Sequence, residues 1–289
     1  MKSAPLIWRC RGVELRCGDT AHIMGVLNIT PDSFSDGGRH FDPARAIERG
    51  MQMAAEGARI LDVGGESSRP GAEPVSAEEE LRRVLPVIDA LLRETNCLLS
   101  IDTTKPVVAD AALAAGAHIV NDITALGDPD MAAVVQRYGA GLVAMHMQGS
   151  PRTMQVQPEY RDVVQEVAEY LRARVAVARA AGIDAARIAV DPGIGFGKTV
   201  QHNVSLLTHL NALVELGQPI AVGVSRKSFL GALTGRPVND RLAPSLAALA
   251  FSVLRGAHIM RVHDVKESCE IARILAILRS GQVRLHDAF

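Results

Sequence analysis

Eight short aliphatic runs recur along the chain, each ending in a polar or glycine-rich segment. They are HIMGVLNIT (22–30), ARILDVGG (58–65), CLLSIDTT (97–104), AHIVNDIT (117–124), GLVAMHMQG (141–149), RIAVDPG (187–193), PIAVGVSRK (219–227) and HIMRVHD (258–264). A run of apolar residues without polar alternation suits a strand buried on both faces, hence a parallel sheet covered by helices. Helical stretches lie between them, among them DPARAIERGMQMAAEGA (42–58), SAEEELRRVLPVIDALLRET (76–95), KPVVADAALAAGA (105–117) and YRDVVQEVAEYLRARVAVARAAG (160–182). Gly57, Gly116 and Gly182 each follow such a stretch, where a left-handed C-cap is expected.

About eight strand–helix units without a low-complexity linker predict an α/β protein: one domain over 1–289, a closed (β/α)8 TIM barrel. Residues 1–20 predict a short N-terminal β-hairpin ahead of the barrel. An open doubly wound sheet satisfies the same periodicity, which does not decide whether the sheet closes. The stretch VKESCEIARILAILRSG (265–281) completes the barrel, and LAPSLAALAFSVLRGA (242–257) either packs on it or faces a partner.

Charge narrows the partners. The 289 residues carry 31 Lys+Arg against 32 Asp+Glu, a net charge of -1, which gives no attraction to nucleic acid or an anionic membrane. Aromatic residues are 3%, too few for a base-stacking surface. The N-terminal MKSAPLIWRCRGVELRCGD is interrupted by charge too early for a secretory leader, and no apolar window is long enough to span a bilayer. Cys10, Cys17, Cys97 and Cys269 lack metal spacing and read as reduced thiols of a cytoplasmic protein.

The stretch DPGIGFGKT (191–199) imitates a phosphate cradle but has Pro192 where a P-loop needs its first glycine. A dinucleotide fingerprint fails too, because Lys198 stands at its third glycine. The strand ends offer a different chemistry: Asn28, Asp62, Asp102, Asn121 with Asp122, His146, Asp191, Lys227, and Arg261 with His263. Any one of these more commonly caps a helix or closes a turn, but a barrel brings all strand ends to one mouth. Without a cysteine, or a Ser–His pair on adjacent strands, the set does not suggest a covalent nucleophile. His146 and His263 lack zinc-binding spacing. Carboxylates, a carboxamide and an ammonium together can read the edge of a flat heterocycle. Arg69, Arg261 and His263 are cationic donors for an anion such as phosphate.

The motifs MGVLNITPDSFSDGG (24–38), GARILDVGGESSRPGA (57–72), SIDTTKPVVA (100–109), GAHIVNDI (116–123), HMQGSPRTMQ (146–155), DPGIGFGKT, GVSRKSFLG (223–231) and RVHDV (261–265) cover most of the barrel. In this order and spacing the chain resembles the dihydropteroate synthase family of pterin-binding barrels. The resemblance implies condensation of 6-hydroxymethyl-7,8-dihydropterin pyrophosphate with 4-aminobenzoate to 7,8-dihydropteroate and pyrophosphate, with Mg²⁺ as cofactor. It implies that Asp102, Asn121, Asp191 and Lys227 hold the pterin edge, with Arg261 across its face and Phe196 lining the pocket. Asp102, Lys227 and Arg261 are the expected catalytic groups. Asn28 is expected to help bind Mg²⁺ and, with Arg69 and His263, the pyrophosphate. Phe34, Ser68 and Pro70 are expected to wall the aminobenzoate ring, and Ser228 to receive its carboxylate at a helix N-terminus.

On this reading DPG aims Asp191 at the pterin, the next glycines let backbone run close to the ligand, and Lys198-Thr199 starts or caps a helix. The family usually has Ser-Thr where this chain has Ser67-Ser68; the missing methyl costs about 0.8 kcal/mol if buried and loosens the fit to aminobenzoate or a sulfonamide. NITPDSFSDGG and GESSRPGA are expected to move and close over the pyrophosphate, so the pterin substrate binds first. The resemblance also implies a homodimer. Rival readings are a methyltetrahydrofolate-type methyltransferase, a non-catalytic pterin-binding paralogue, and an unrelated barrel acting on a phosphorylated metabolite. SFSDGG, SSRPGA and SRKSFLG speak against the first.

Overall fold

The computed structural model describes residues 6–18, 20–29, 42–67 and 71–282. Its first element is an antiparallel hairpin of β1 (Leu6–Cys10) and β2 (Val13–Cys17). The turn between them has Arg11 at φ 48° and Gly12 at φ 83°, the positive pair whose twist matches a two-residue hairpin.

Each aliphatic run then forms a strand: β3 (His22–Asn28), β4 (Ile60–Gly64), β5 (Leu98–Asp102), β6 (Ile119–Asp122), β7 (Gly141–Met145), β8 (Ile188–Asp191), β9 (Ala221–Gly223) and β10 (Ile259–Val262). They pair in parallel in the order β8-β7-β6-β5-β4-β3-β10-β9. A bridge between Val190 and Ile220, with the Val190 N–H donating to the Pro219 carbonyl at 2.9 Å, joins the two ends of that order. The sheet therefore closes, and the open-sheet alternative falls. The helices are α1 (Pro43–Ala55), α2 (Ala77–Glu94), α3 (Pro106–Ala115), α4 (Pro129–Tyr138), α5 (Val163–Ala180), α6 (Val200–Thr208), α7 (Ser228–Thr234), α8 (Leu242–Leu254) and α9 (Val265–Ser280).

Local chemistry starts and stops these helices. Asp42, Ser76, Asp128 and Asp162 each accept a first-turn N–H, and Pro43 and Pro129 stand at the start of α1 and α4. The three glycines expected to end helices all have positive φ: Gly57 at 104°, Gly116 at 124° and Gly182 at 89°. No helix among the described residues is long and apolar enough to cross a membrane.

The strand period of two sorts the side chains into a shell under the helices and a stack inside the barrel. Met24, Ile60, Leu98, Ile119, Val143, Ala189, Ala221 and Ile259 form one apolar layer with Trp8, Cys10, Leu15 and Cys17 of the hairpin. The hairpin thus plugs the N-terminal end of the barrel, and the Trp8 indole N–H is satisfied by the Arg187 carbonyl at 2.9 Å. Two residues further along the same strands come Val26, Asp62, Ser100, Asn121, Met145, Asp191, Gly223 and Arg261. The polar floor of the mouth is therefore set one strand period above an apolar plug.

Candidate active site

Asp62 lies at the centre of that floor. Its side chain is wholly buried, and one oxygen, Oδ2, accepts both Arg261 Nε–H at 2.6 Å and Asn121 Nδ2–H at 3.0 Å. Arg261 also donates from Nη2 to Asp102 Oδ2 at 2.7 Å. Four strands, β4, β5, β6 and β10, are thereby stitched through one guanidinium and two carboxylates. Burial pushes the Asp102 carboxyl up to about 7 against the pull of Arg261. Asp191 Oδ1 accepts the Gly193 N–H at 2.7 Å; burial raises this carboxyl as well, opposed by that hydrogen bond and by Lys227.

Lys227 stands beyond β9 rather than on it, at the N-cap of α7. Its ammonium is 4.2 Å from the Phe196 ring centroid, within cation–π range. Burial, helped by Arg261, brings this ammonium down to about 8. A single cavity is lined by Asp102, Asn121, Asp191, Phe196, Lys227 and Arg261, with Ile123, Met145 and Ile194 as apolar wall. All six residues expected around a pterin are brought together. Acceptors, a carboxamide and an ammonium ring a narrow apolar slot, an arrangement suited to a flat polar heterocycle.

The remaining expected residues lie around this cavity or outside the described residues. Asn28 ends β3 and neighbours Asp102 across Gly64, whose added Cβ would lie 3.7 Å from Asn28 Oδ1 and 3.6 Å from Asp102 Oδ2. Ser228 is exposed at the first position of α7. Phe34, Ser68, Arg69 and Pro70 lie outside the described residues, as does most of NITPDSFSDGG.

Several sequence expectations need correction. A serine and a histidine do meet on adjacent strand ends, since Ser225 Oγ is 3.1 Å from His263 Nδ1. The hydroxyl also accepts the His263 backbone N–H at 3.2 Å and is buried, so it braces His263 rather than facing a substrate. Burial and then Arg261 hold the His263 imidazole down to about 4. It offers a neutral N–H, not the cation expected. Asp122 does not face the mouth: its carboxylate accepts the Thr124 and Leu126 N–H groups at 2.8 and 2.7 Å and closes a turn. His146 is not among the residues that line the cavity; its ring stacks edge-on to Tyr170, ring centroids 4.9 Å apart.

Gly193 and Gly197 of DPGIGFGKT leave room for a neighbouring loop, Gly195 leaves room for the Lys227 side chain, and Gly193 also lines the cavity. An added Cβ on Gly193 would lie 1.9 Å from the His146 carbonyl oxygen, and one on Gly197 2.7 Å from that of Gln148. Thr199 caps α6 as expected, in a reciprocal capping box with His202. Lys198 does not join that helix start: it is buried, with its ammonium 2.8 Å from the Phe196 carbonyl oxygen and 3.0 Å from His146 Nδ1.

Two further features escaped the sequence reading. Asp62 reads in the sequence as a strand-end acid, and its part in holding Arg261 and Asn121 follows only from strand parity, which also puts Asp102, Asn121 and Arg261 inside. Lys105 pairs with Glu66 at the start of the second loop and, at 2.6 Å, with the wholly buried Glu80 on α2. No spacing rule links residues so far apart.

The pattern of the pterin binding enzymes matches residues 24–263. The dihydropteroate synthase of Escherichia coli K12 is 46% identical over 261 residues, which cover 90% of this chain and 93% of the relative. The Xanthomonas albilineans dihydropteroate synthase solved with 4-aminobenzoic acid is 45% identical, with a TM-score of 0.89 over 97% of this chain and all of that one (100%). The Burkholderia cenocepacia dihydropteroate synthase complexed with 7,8-dihydropteroate is 44% identical, with a TM-score of 0.86 over 96% of this chain and 98% of that one. The chain belongs to the pterin-binding enzymes, in the dihydropteroate synthase family.

Proposed function

We propose that the chain joins 6-hydroxymethyl-7,8-dihydropterin pyrophosphate to 4-aminobenzoate, forming 7,8-dihydropteroate and releasing pyrophosphate and a proton. The carrying observation is the shared cavity of Asp102, Asn121, Asp191, Lys227 and Arg261. The complexes of the Xanthomonas and Burkholderia relatives support the same substrate and product. Asp191 accepts the ring N–H and exocyclic amine with the oxygen that Gly193 leaves free, Asn121 and Lys227 meet the remaining edge, and Arg261 covers the face.

The C–O bond at the exocyclic methylene breaks first, its electron pair leaving with pyrophosphate, and the aminobenzoate nitrogen then forms the new C–N bond. Asp102, a fixed anion near the ring, stabilises the developing cation. An arylamine attacks without prior deprotonation, so no general base is required.

Among the described residues no three His, Cys, Asp or Glu side chains cluster as a metal cage. The donor available at the mouth is the Asn28 carboxamide, which fits a Mg²⁺ held chiefly by substrate phosphates and water. A Mg²⁺ held there by Asn28 would supply charge neutralisation for the leaving pyrophosphate. His263 as a neutral donor and Arg69 hold the same group, while Phe34, Ser68, Pro70 and Ser228 hold aminobenzoate.

The chain acts as one domain, in the reducing cytoplasm that its free thiols suit. It pairs with a second copy through the exposed apolar side chains Leu242, Phe251 and Leu254 of α8 and Ile274 and Leu278 of α9. A pyrophosphate-release assay tests the reaction: release must require both substrates and vanish in Asp191→Ala. Release with the pterin substrate alone, at an undiminished rate, overturns the proposal.

A further inference from the structure

Lys198 is a buried ammonium that the proposed reaction does not use. It is 3% exposed and spends its three N–H donors on groups of two different loops. One donates to the Phe196 carbonyl oxygen at 2.8 Å in its own loop, beyond β8. The other contacts are to His146 Nδ1 at 3.0 Å and the His146 carbonyl oxygen at 3.5 Å, in the loop beyond β7.

These loops touch backbone to backbone. No side chain can stand between them at Gly193, where an added Cβ would be 1.9 Å from the His146 carbonyl oxygen. From the other side the Tyr160 hydroxyl donates to the Gly197 carbonyl at 2.8 Å, and Gln155 Nε2 donates to that of Gly195 at 2.6 Å. Lys198 is the amine of this clasp, its pKa brought down to about 7 by burial, and it fixes the carbonyl of Phe196. Above that carbonyl the Phe196 ring lies 4.2 Å from the Lys227 ammonium, at the edge of the cavity.

We infer that Lys198 is a positioning residue for the pterin pocket: it clasps the loops after the fifth and sixth barrel strands and thereby sets the Phe196 ring against Lys227. The inference rests on the proposed function, because it takes the cavity as a pterin site. Lys198 touches no substrate. Its effect passes through Phe196, so removing both side chains must cost less than the two separate losses multiplied together.

The test is calorimetric titration with 6-hydroxymethyl-7,8-dihydropterin pyrophosphate of wild type, Lys198→Met, Phe196→Leu, the double variant and Asp191→Asn. Lys198→Met keeps the methylenes and removes the hydrogen-bonding amine; binding is expected to weaken about tenfold. In the Phe196→Leu background the same change is expected to weaken it less than about twofold. A stability defect alone would lower the active fraction without changing the dissociation constant or this coupling. Wild-type affinity in Lys198→Met, or an undiminished tenfold loss in the Phe196→Leu background, overturns the inference. If Lys198→Met does not accumulate as folded protein, His146→Leu removes an acceptor from the opposite loop and must weaken binding, while His146→Gln, which keeps one, restores it. Equal affinities in those two variants overturn the inference equally. Absence of binding by wild type overturns the functional reading and this inference with it. If wild type binds and Asp191→Asn does not, failure of the Lys198 arm sinks this inference alone.

Discussion

Truncating Asp62 to alanine removes the single oxygen shared by Arg261 and Asn121. The Arg261 side chain is 21% exposed and Asp62 not at all, so the pair is screened weakly. Breaking a buried ion pair by deleting one partner costs about 3–5 kcal/mol. Arg261 keeps its 2.7 Å bond to Asp102, which places the loss near the lower end, about 3 kcal/mol. At roughly 2–4 °C per kcal/mol for a chain of this size, the melting temperature falls by about 6–12 °C. Asp62→Asn retains an acceptor oxygen but not the charge, and loses about half as much, roughly 1.5 kcal/mol. Loss of stability is only half of the expectation. With the shared anchor gone, the guanidinium can turn toward Asp102 and the Asn121 carboxamide is no longer oriented, so pterin affinity also falls by about tenfold. Differential scanning calorimetry and pterin titration on the two variants measure both quantities. Asp62→Ala that melts with wild type and binds pterin equally well would refute the reasoning.

The remaining expectations are independent of Asp62. With its carboxyl pushed up to about 7, Asp102 takes up a proton as pH falls through that value. The kcat/KM for the pterin substrate therefore declines below about pH 7 in wild type, whereas Asp102→Asn is slower by about 10²–10³-fold and loses that limb; a flat wild-type kcat/KM profile from pH 8 to 6 contradicts this. Burial and then Lys198 hold His146 down to about 3, and burial, with neighbouring cations, holds His258 and His263 to about 4. As pH falls below about 6.5 the unfolded chain protonates these imidazoles first, so their contribution is present above that pH and is lost toward 4. For His146 alone the loss at pH 5 is about 2 kcal/mol, which urea denaturation at pH 7.5 and pH 5 should reveal; equal stabilities would remove the assignment. Leu254, 62% exposed on α8, is expected to lie between two copies, so Leu254→Glu should sediment at half the wild-type mass, and an unchanged mass would remove that face from the interface.

Much of this molecule is legible in its sequence because burial on both faces of a strand leaves so little freedom. Runs such as RIAVDPG and HIMRVHD admit no solvent-facing alternation, and each proves to be a barrel strand. Closure was less accessible, since it rests on the contact of Val190 with Ile220 and the Pro219 carbonyl, which periodicity does not encode. The cavity set was readable because it lies at strand ends, but its weighting was uneven. Asn121 and Asp122 are adjacent on one strand and point to opposite faces, so they never shared a role. Asp62 looked like an ordinary strand-end acid, because its partners lie 59 and 199 residues away. Lys198 was masked by Thr199, whose strong N-cap preference made the pair read as a helix start. The His263 charge state is hidden for a similar reason: burial and then Arg261 lower its affinity for protons, and no local sequence feature reports it.

The most direct measurement is a crystal structure of the chain with 6-hydroxymethyl-7,8-dihydropterin pyrophosphate. The account predicts the bicyclic ring between Phe196 and Arg261, its edge within hydrogen-bonding distance of Asp102, Asn121, Asp191 and Lys227. A ring bound elsewhere, with those four side chains still paired only to protein, would contradict it.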